Sequence, residues 1–337
     1  MKAFQLLSRK PAHLELRDVS TPALLSGQAR VRLRAASVNR VDLYMRDNGA
    51  GITHQLPQTL GVDGVGDVVE AEGFSPGERV ILYPYEFCGR CRHCQAGNQP
   101  LCASARIFGE HRDGTFAEEI VVPVSSLVRL SPEADATMAA TLGVAYLTAW
   151  RMVFGHMATG PGHVVLIQGG GGGVSYAAMQ LARMAGARVI VTTSGAEKRA
   201  HFRAEAVDVI DYASEDVAKS VQSLTDGEGA DLVIDNVGER TWASSLRSLA
   251  RGGHLVTCGS TTGAHPSADI QRLFVRQLNI HGSTMGSLEE MRRLIRAFEA
   301  GAFRPHIDST FPLESLPEAF ARLEHPDRLG KVVIKIA

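Results

Sequence analysis

The sequence predicts an α/β chain in which a doubly wound parallel sheet is inserted into a β-rich domain. Three observations predict it. A short apolar run, a glycine-rich turn and a helical pattern follow one another over 164–187. Beyond Pro132, strand-like runs alternate with helical stretches, as a doubly wound sheet requires. Before Pro132 the runs are short and β-like, broken by Gly and Pro, and the final residues return to a strand pattern.

The first observation carries the most chemistry. Val164-Val165-Leu166-Ile167 reads as a buried strand, and five glycines, Gly169 to Gly173, follow it. Val174, Ala178, Leu181 and Ala185 then recur on one helical face. A strand, a glycine turn and a helix N-terminus place backbone N–H groups where a pyrophosphate can sit. In register, Gly170-x-Gly172-x-x-Ser175 is the dinucleotide fingerprint with serine for its last glycine. That position governs close packing of helix on strand, so a small serine is a mild departure.

Composition bounds the rest. With 337 residues, 45% hydrophobic and 21% charged, the chain is globular and long enough for two domains. A net charge of −1 gives no general attraction to nucleic acid or an anionic membrane. Met1-Lys2-Ala3-Phe4-Gln5 lacks a signal-peptide core and no run approaches transmembrane length, so the expectation is a soluble, cytoplasmic protein. The β-rich part shows strand-like runs at 29–33, 66–71, 79–83 and 119–124. The second part shows them at 164–168, 187–193, 207–212, 230–237, 253–259 and 279–284. The tail holds a helix at 288–299 and a strand at 331–336 that returns to the first domain. The division expected is 1–130 with 285–337, and 131–284 between them. No polar linker separates the two, so tight packing and a cleft are expected.

Four of the five cysteines fall in one loop, Cys88-x-x-Cys91-x-x-Cys94 and then Cys102 after seven intervening residues. In a reducing compartment this density reads as metal rather than disulfide. Four thiolates suit tetrahedral zinc, and four protein ligands leave no position for substrate, so the site is structural. His93 is a solvated neighbour and Cys258, at a strand end, a packed core thiol.

On these motifs the chain resembles the medium-chain dehydrogenases/reductases, the superfamily of zinc alcohol dehydrogenases and quinone oxidoreductases. The resemblance covers essentially the whole length. It implies a Rossmann domain inserted into a GroES-like catalytic domain, with a zinc lobe at 86–104. The zinc alcohol dehydrogenases draw catalytic ligands from a Val-Cys-His-x-Asp segment, a Gly-His-Glu segment and a cysteine before the second domain. This chain has Val38-Asn39-Arg40-Val41-Asp42, Gly61-Val62-Asp63 and Val144 there, so no catalytic zinc is expected. The quinone oxidoreductases carry Asn-x-x-Asp-x-Tyr-x-Arg, matched by Asn39, Asp42, Tyr44 and Arg46.

By that resemblance Asn39 and Tyr44 face nicotinamide and substrate, helped by Arg46; the alternative for Tyr44 is a half-buried structural tyrosine. Asp42 reads as a local partner, with Arg46 in reach, rather than a proton donor. His111 reads as a solvated loop histidine, with a proton donor as the alternative. The resemblance also implies at least a homodimer or homotetramer, paired through Asn279-Ile280-His281-Gly282.

NAD-binding domains place an acid roughly 20 residues past the glycines. Here the second strand ends Thr192-Thr193-Ser194-Gly195 with no carboxylate, and Glu197, Lys198 and Arg199 open the next helix. The quinone oxidoreductases similarly carry a lysine and a tyrosine, matching Lys198 and Tyr212. The expected cofactor is NADP(H), held by Gly170, Gly172, Gly173, Val174, Thr193, Ser194, Lys198, Tyr212 and Asn236.

The reaction expected is NADPH-dependent reduction of a quinone or an activated double bond. Hydride delivered to a ketone leaves an alkoxide with a conjugate-acid pKa near that of water, about 15.7. Delivery to a quinone leaves a phenolate-like anion near pKa 10. The difference of about six units is roughly 8 kcal/mol of charge that the site need not stabilise. Neutral donors such as Asn39 and Tyr44, helped by Arg46, suit the smaller demand. An alcohol dehydrogenase or carbonyl reductase is the first alternative, and a nucleotide-binding sensor the second.

Overall fold

The computed structural model describes residues 1–47 and 55–336. The chain forms two compact units, Met1–Leu147 with Gly286–Ala337, and Thr148–Met285.

The first unit is β-rich, as the patterning predicts. Its main sheet runs in the order Leu127–Arg129, Arg79–Leu82, Asp63–Ala71, Gln28–Val38, Lys331–Lys335 and Ile307–Pro312, with Glu119–Pro123 pairing Gln28–Val38. Alternation drives the central strand. In Gln28–Val38, Ala29, Val31 and Leu33 point into the core while Arg32 and Arg34 point outward. The tail strand Lys331–Lys335 lies antiparallel to it, Val332 opposite Val38 and Ile334 opposite Ala36. The tail thus pairs with the first unit's central strand. This register brings Lys331 beside Asn39, 292 residues away in sequence. The helix Arg40–Asp47 starts where Gln28–Val38 ends.

The second unit is a six-stranded parallel sheet in the order Asp208–Asp211, Arg188–Thr193, Val164–Ile167, Ala230–Asp235, Leu249–Thr257 and Asn279–Gly282. In sequence numbering within the sheet this is 3-2-1-4-5-6, the order of doubly wound nucleotide-binding domains. Its core gathers Leu166, Ile190, Ile210, Val233, Leu246 and Leu255, all essentially inaccessible. Truncating one to alanine costs about 2–5 kcal/mol.

The boundary lies later than expected. The short helix Ala136–Ala139 packs on Gln28–Val38, Asp63–Ala71 and Lys331–Lys335, and residues 142–146 pack on Asp63–Ala71 and the helix Leu288–Glu299. Residues 131–147 therefore belong to the first unit, because their apolar side chains complete its core. Among the described residues no helix is long and apolar enough to cross a membrane.

Candidate active site

The fingerprint helix spans Gly173–Met184 with Gly172 at its N-cap, and no side chain caps it. An uncapped helix start presents N–H groups and a positive dipole end. Gly170 is fixed by packing: a Cβ there would run into Val191 and sit 3.0 Å from the Phe202 ring. At Gly172 a Cβ would make only ordinary contacts, 3.6 Å from the Gly169 carbonyl and Ser175 Oγ, so packing inside the unit does not demand glycine there. Ser175 is fully buried, and its Oγ donates to the Gln168 carbonyl at 2.9 Å. Serine here ties helix to strand by a hydrogen bond where glycine does so by proximity alone. Asn236 Nδ2 donates to the same Oγ at 3.0 Å, which fixes the Asn236 side chain beside the turn. Gly173 and Val174 lie in the helix's first turn, half-buried.

Beneath the turn, Thr192 Oγ1 accepts from the Gly169 N–H at 3.0 Å and donates to Gln168 Oε1 at 2.9 Å. Gln168 Nε2 continues to Ser245 Oγ at 3.1 Å, and Ser245 Oγ donates to Asp235 at 2.8 Å. This buried network is satisfied within itself and holds the strand ends rigid. No sequence motif announces it.

At the tip of the second strand, Thr193 is buried and Ser194 Oγ donates to the Tyr212 hydroxyl at 2.8 Å. Tyr212 itself is 53% exposed. Lys198 is half-buried in the helix Ala196–Ala204. Arg199 is ion-paired with Asp211 at the tip of the third strand. The Asp211 carboxylate on the third strand is thus already paired with a cation.

In the first unit the four cysteine sulfurs lie within 4.8 Å of one another. Cys88 Sγ is 3.9 Å from Cys94 Sγ and 3.6 Å from Cys102 Sγ. A zinc–sulfur distance near 2.3 Å implies tetrahedral edges of about 3.8 Å, so the set fits zinc. The Cys91 N–H points at Cys88 Sγ (3.4 Å) and the Cys94 N–H at Cys91 Sγ (3.5 Å), which favours thiolates. The backbone N–H groups of Arg90 and Cys91 lower the Cys88 thiol to about 6, whereas burial raises Cys94 to about 12. His93 stands outside this set, with its Nε2 facing Arg92. Cys258 is half-buried, and burial followed by the Asp235 charge raises its thiol to about 12.

The residues expected to face substrate form a second cluster. Asn39 is 5% exposed. Its Nδ2 donates to Asp63 Oδ2 at 2.9 Å and to the Ser37 carbonyl at 3.1 Å. Its Oδ1 accepts from Lys331 Nζ at 2.5 Å, and Lys331 Nζ also donates to the Val38 carbonyl at 2.9 Å. Lys331 Nζ lies 3.9 Å from Asp63 Oδ2, which also accepts from Ser37 Oγ at 2.5 Å. The amide orientation is therefore unambiguous, because a flip would oppose NH2 to ammonium and oxygen to carboxylate. Both amide hydrogens are engaged, so Asn39 has none for a substrate oxygen. That corrects the donor role expected of it.

Asp42 is fully buried, and its Oδ2 accepts from the Asn39 N–H at 2.7 Å. It is a local partner as expected, but of Asn39 rather than Arg46. The Arg46 guanidinium instead pairs with Asp47 at 2.6 and 2.8 Å, approaches Glu324 at 3.5 Å and lies over the Phe320 ring. Tyr44, on the same helix, is 38% exposed.

Burial raises the Asp42 carboxyl to about 8, against the Asn39 N–H. It raises Asp63 also, opposed by Lys331, Ser37 and Asn39. Burial lowers Lys331 to about 8, opposed by Asp63 and Asp42. Gly143 closes over the cluster, since a Cβ there would lie 2.5 Å from Asp63 Oδ1. Asp63 Oδ1 has no well-formed hydrogen bond, although the Val144 N–H favours its charge. The side chains of Val62 and Val144 carry no atom that could ligate a metal. Lys331 is the functional candidate that sequence reasoning missed. Its only signal is a lysine heading the apolar run Val332-Val333-Ile334.

His111 lies on a partly exposed loop, where its Nδ1 accepts from the Ile107 N–H at 3.1 Å and Nε2 is 3.6 Å from Glu110.

Comparison with known proteins matches this architecture part by part. Residues 26–132 match the alcohol dehydrogenase GroES-like domain, and residues 173–300 the zinc-binding dehydrogenase model. The chain belongs to the zinc-type alcohol dehydrogenase-like family of medium-chain dehydrogenases/reductases. Within it, the chain is 30% identical to an NAD-dependent alcohol dehydrogenase of Sulfurisphaera tokodaii over 351 residues, 99% of each chain. It is also 30% identical to an acryloyl-coenzyme A reductase of Metallosphaera sedula over 346 residues, again 99% of each. A crystal structure of an NAD-dependent alcohol dehydrogenase superposes with a TM-score of 0.94 at 36% identity, covering 100% of both chains. The protein is an oxidoreductase of this family. Its fold and cysteine loop suit a nicotinamide cofactor and structural zinc.

Proposed function

We propose that this chain transfers hydride from NADPH to a quinone or to the β-carbon of an α,β-unsaturated carbonyl, with no catalytic zinc. One observation carries the reading. The segments around Asn39, Val62 and Val144 converge on Asp63, whose charge is already balanced by Lys331. Two valines and an engaged amide offer a Lewis-acid metal no ligand set. The site then suits a product anion of low basicity, and the Tyr44 hydroxyl is the donor to it. Bound NADPH supplies the hydride. The Gly170–Gly172 turn and the uncapped helix start hold the pyrophosphate. Asn236 and Ser175 keep that turn in shape.

For the nicotinamide, the tip of the second strand lacks a carboxylate, while Lys198 and the Ser194–Tyr212 pair stand there. This favours a 2′-phosphate over a 2′-hydroxyl. The relative that reduces acryloyl-coenzyme A, an activated double bond, supports the reduction half of the reading. The relatives called NAD-dependent alcohol dehydrogenases favour a second reading, NAD-linked alcohol oxidation. We further propose a homodimer or homotetramer in a reducing cytoplasm. The edge strand Asn279–Gly282 and the exposed Ile270, Phe274, Val275 and Ile280 supply an apolar face for a second copy.

The test compares initial rates with a simple quinone and a simple enone, each with NADPH and NADH, and with a primary alcohol plus NAD⁺ or NADP⁺. Quinone with NADPH is expected to be fastest. Alcohol oxidation as the fastest reaction establishes the second reading. Tyr44→Phe is expected to lower turnover by about 100- to 1,000-fold, the usual worth of one donor to a developing oxyanion, with NADPH affinity unchanged.

A further inference from the structure

Lys331 is used by no step above, yet it is the buried cation on which the first unit's polar cluster turns. Its ammonium is 4% exposed on its side chain and touches three acceptors, the Val38 carbonyl, Asn39 Oδ1 and Asp63. Burying an ammonium is expensive, so such a group persists only where its partners are fixed. Each partner is fixed here. Val38 ends the central strand, Asp63 begins its neighbour, and Asn39 stands at the junction of strand and helix.

From Asn39 the connection continues without a gap. The Asn39 amide is clamped at both ends, by Lys331 on oxygen and Asp63 on nitrogen. Its backbone N–H is held by Asp42 at 2.7 Å, and the Asp42 N–H bonds back to the Asn39 carbonyl at 3.1 Å. These two bonds close the first turn of the helix Arg40–Asp47. A helix of 8 residues is too short to hold its own direction, so its anchorage at Asn39 and its packing decide where Tyr44 points.

We propose that Lys331 is a positioning residue: through Asn39 and Asp42 it sets the start of the helix Arg40–Asp47 and thereby the direction of Tyr44. It touches neither substrate nor cofactor in this role. The inference rests on the reading of Tyr44 as the donor only for its effect on turnover. Its structural part stands on the contacts alone.

The test uses the full, zinc-loaded chain and two variants. Lys331→Met removes the ammonium and orphans Asp63. The double variant D63N/K331M removes both charges and keeps an amide at 63, so it folds where the single variant fails. Amide exchange is followed by mass spectrometry over residues 40–47, with the helix Gly173–Met184 as internal control. Loss of the charged anchor is expected to accelerate exchange over 40–47 by about 10- to 100-fold in the double variant, with the control unchanged. Quinone turnover is expected to fall while the NADPH Kd stays within about twofold, because the cofactor turn is built by other residues. Unchanged exchange over 40–47 in the double variant overturns the proposal, as does equal acceleration in both segments. Exchange is read without substrate. A chain lacking quinone turnover but showing the local acceleration therefore refutes the functional reading alone.

Discussion

Two clusters in the first unit gather donor atoms, and they differ in where the positive charge comes from. The cysteine loop gathers four sulfurs within 4.8 Å of one another. The Asn39 cluster brings two buried carboxylates and carries Lys331 among them. Thiolates held together without a counter-charge repel one another until a metal arrives, so the loop is completed from outside. The second cluster is completed from within, because the chain supplies its ammonium in covalent form. On the reading proposed above, a loop of 15 residues, 88–102, takes up a metal, whereas a strand register supplies the cation of the second cluster.

The comparison breaks most easily at the loop. Metal analysis is expected to give about one zinc per chain, and Cys91→Ser or a strong chelator to unfold the loop and aggregate the protein. Structural zinc contributes roughly 10–16 kcal/mol in small finger peptides, as much as a whole domain's margin of about 5–15 kcal/mol. Two zincs per chain would place a metal in the second cluster as well and erase the distinction. Next in size is Lys331→Met, which is expected to lower stability by about 3–5 kcal/mol by orphaning Asp63 in the interior. The double variant is expected to recover most of that in denaturant unfolding.

A smaller effect separates the clusters by pH. Asp42 titrates near 8 in the folded chain against an ordinary 3.8. The folded state therefore holds a proton that the unfolded state releases, and stability falls as pH rises through the window from about 4 to 8. The slope is at most about 1.4 kcal/mol per pH unit. Lys331, lowered to about 8 from 10.5, acts oppositely: the unfolded state holds the extra proton, and stability rises with pH from about 8 to 10.5. The cluster's contribution is thus least favourable near pH 8. Asp42→Asn is expected to flatten the falling limb, and an unchanged pH profile of thermal unfolding would show that Asp42 is ionised throughout. The smallest effect concerns the second unit. Lys198→Ala is expected to narrow the gap between NADPH and NADH affinity by about 1–3 kcal/mol, measured by titration of each cofactor. Equal loss for both would assign Lys198 to the fold.

Much of this was legible in the residues because its causes are local. Five of the six parallel strands fall inside the apolar runs, while Leu249–Thr257 starts four residues before its run; the helix Leu288–Glu299 has the bounds its pattern implies, since Ser287 and Glu290 cap it reciprocally. Cysteine spacing identifies the loop because a metal needs several ligands from a short segment. The contacts of Asn39 and Arg46 were not legible. Asn39 is engaged by a residue 292 positions away, and Arg46 by Phe320 and Glu324, partners delivered only by the returning tail. Sequence spacing carries no record of a partner brought by strand register. The buried network of Gln168, Thr192, Ser245 and Asp235 escaped for the same reason.

The returning strand also fixes an order of events during synthesis. The second unit, Thr148–Met285, has all its strands once residue 285 has left the ribosome. The first unit does not: Gln28–Val38 waits for Lys331–Lys335 along one of its edges, and Asn39 waits with it. Until then the nascent chain presents an unpaired strand edge and an uncompensated Asp63, features that invite association with other chains. Domains commonly fold in the order in which they emerge; here the segment made first is the last to close.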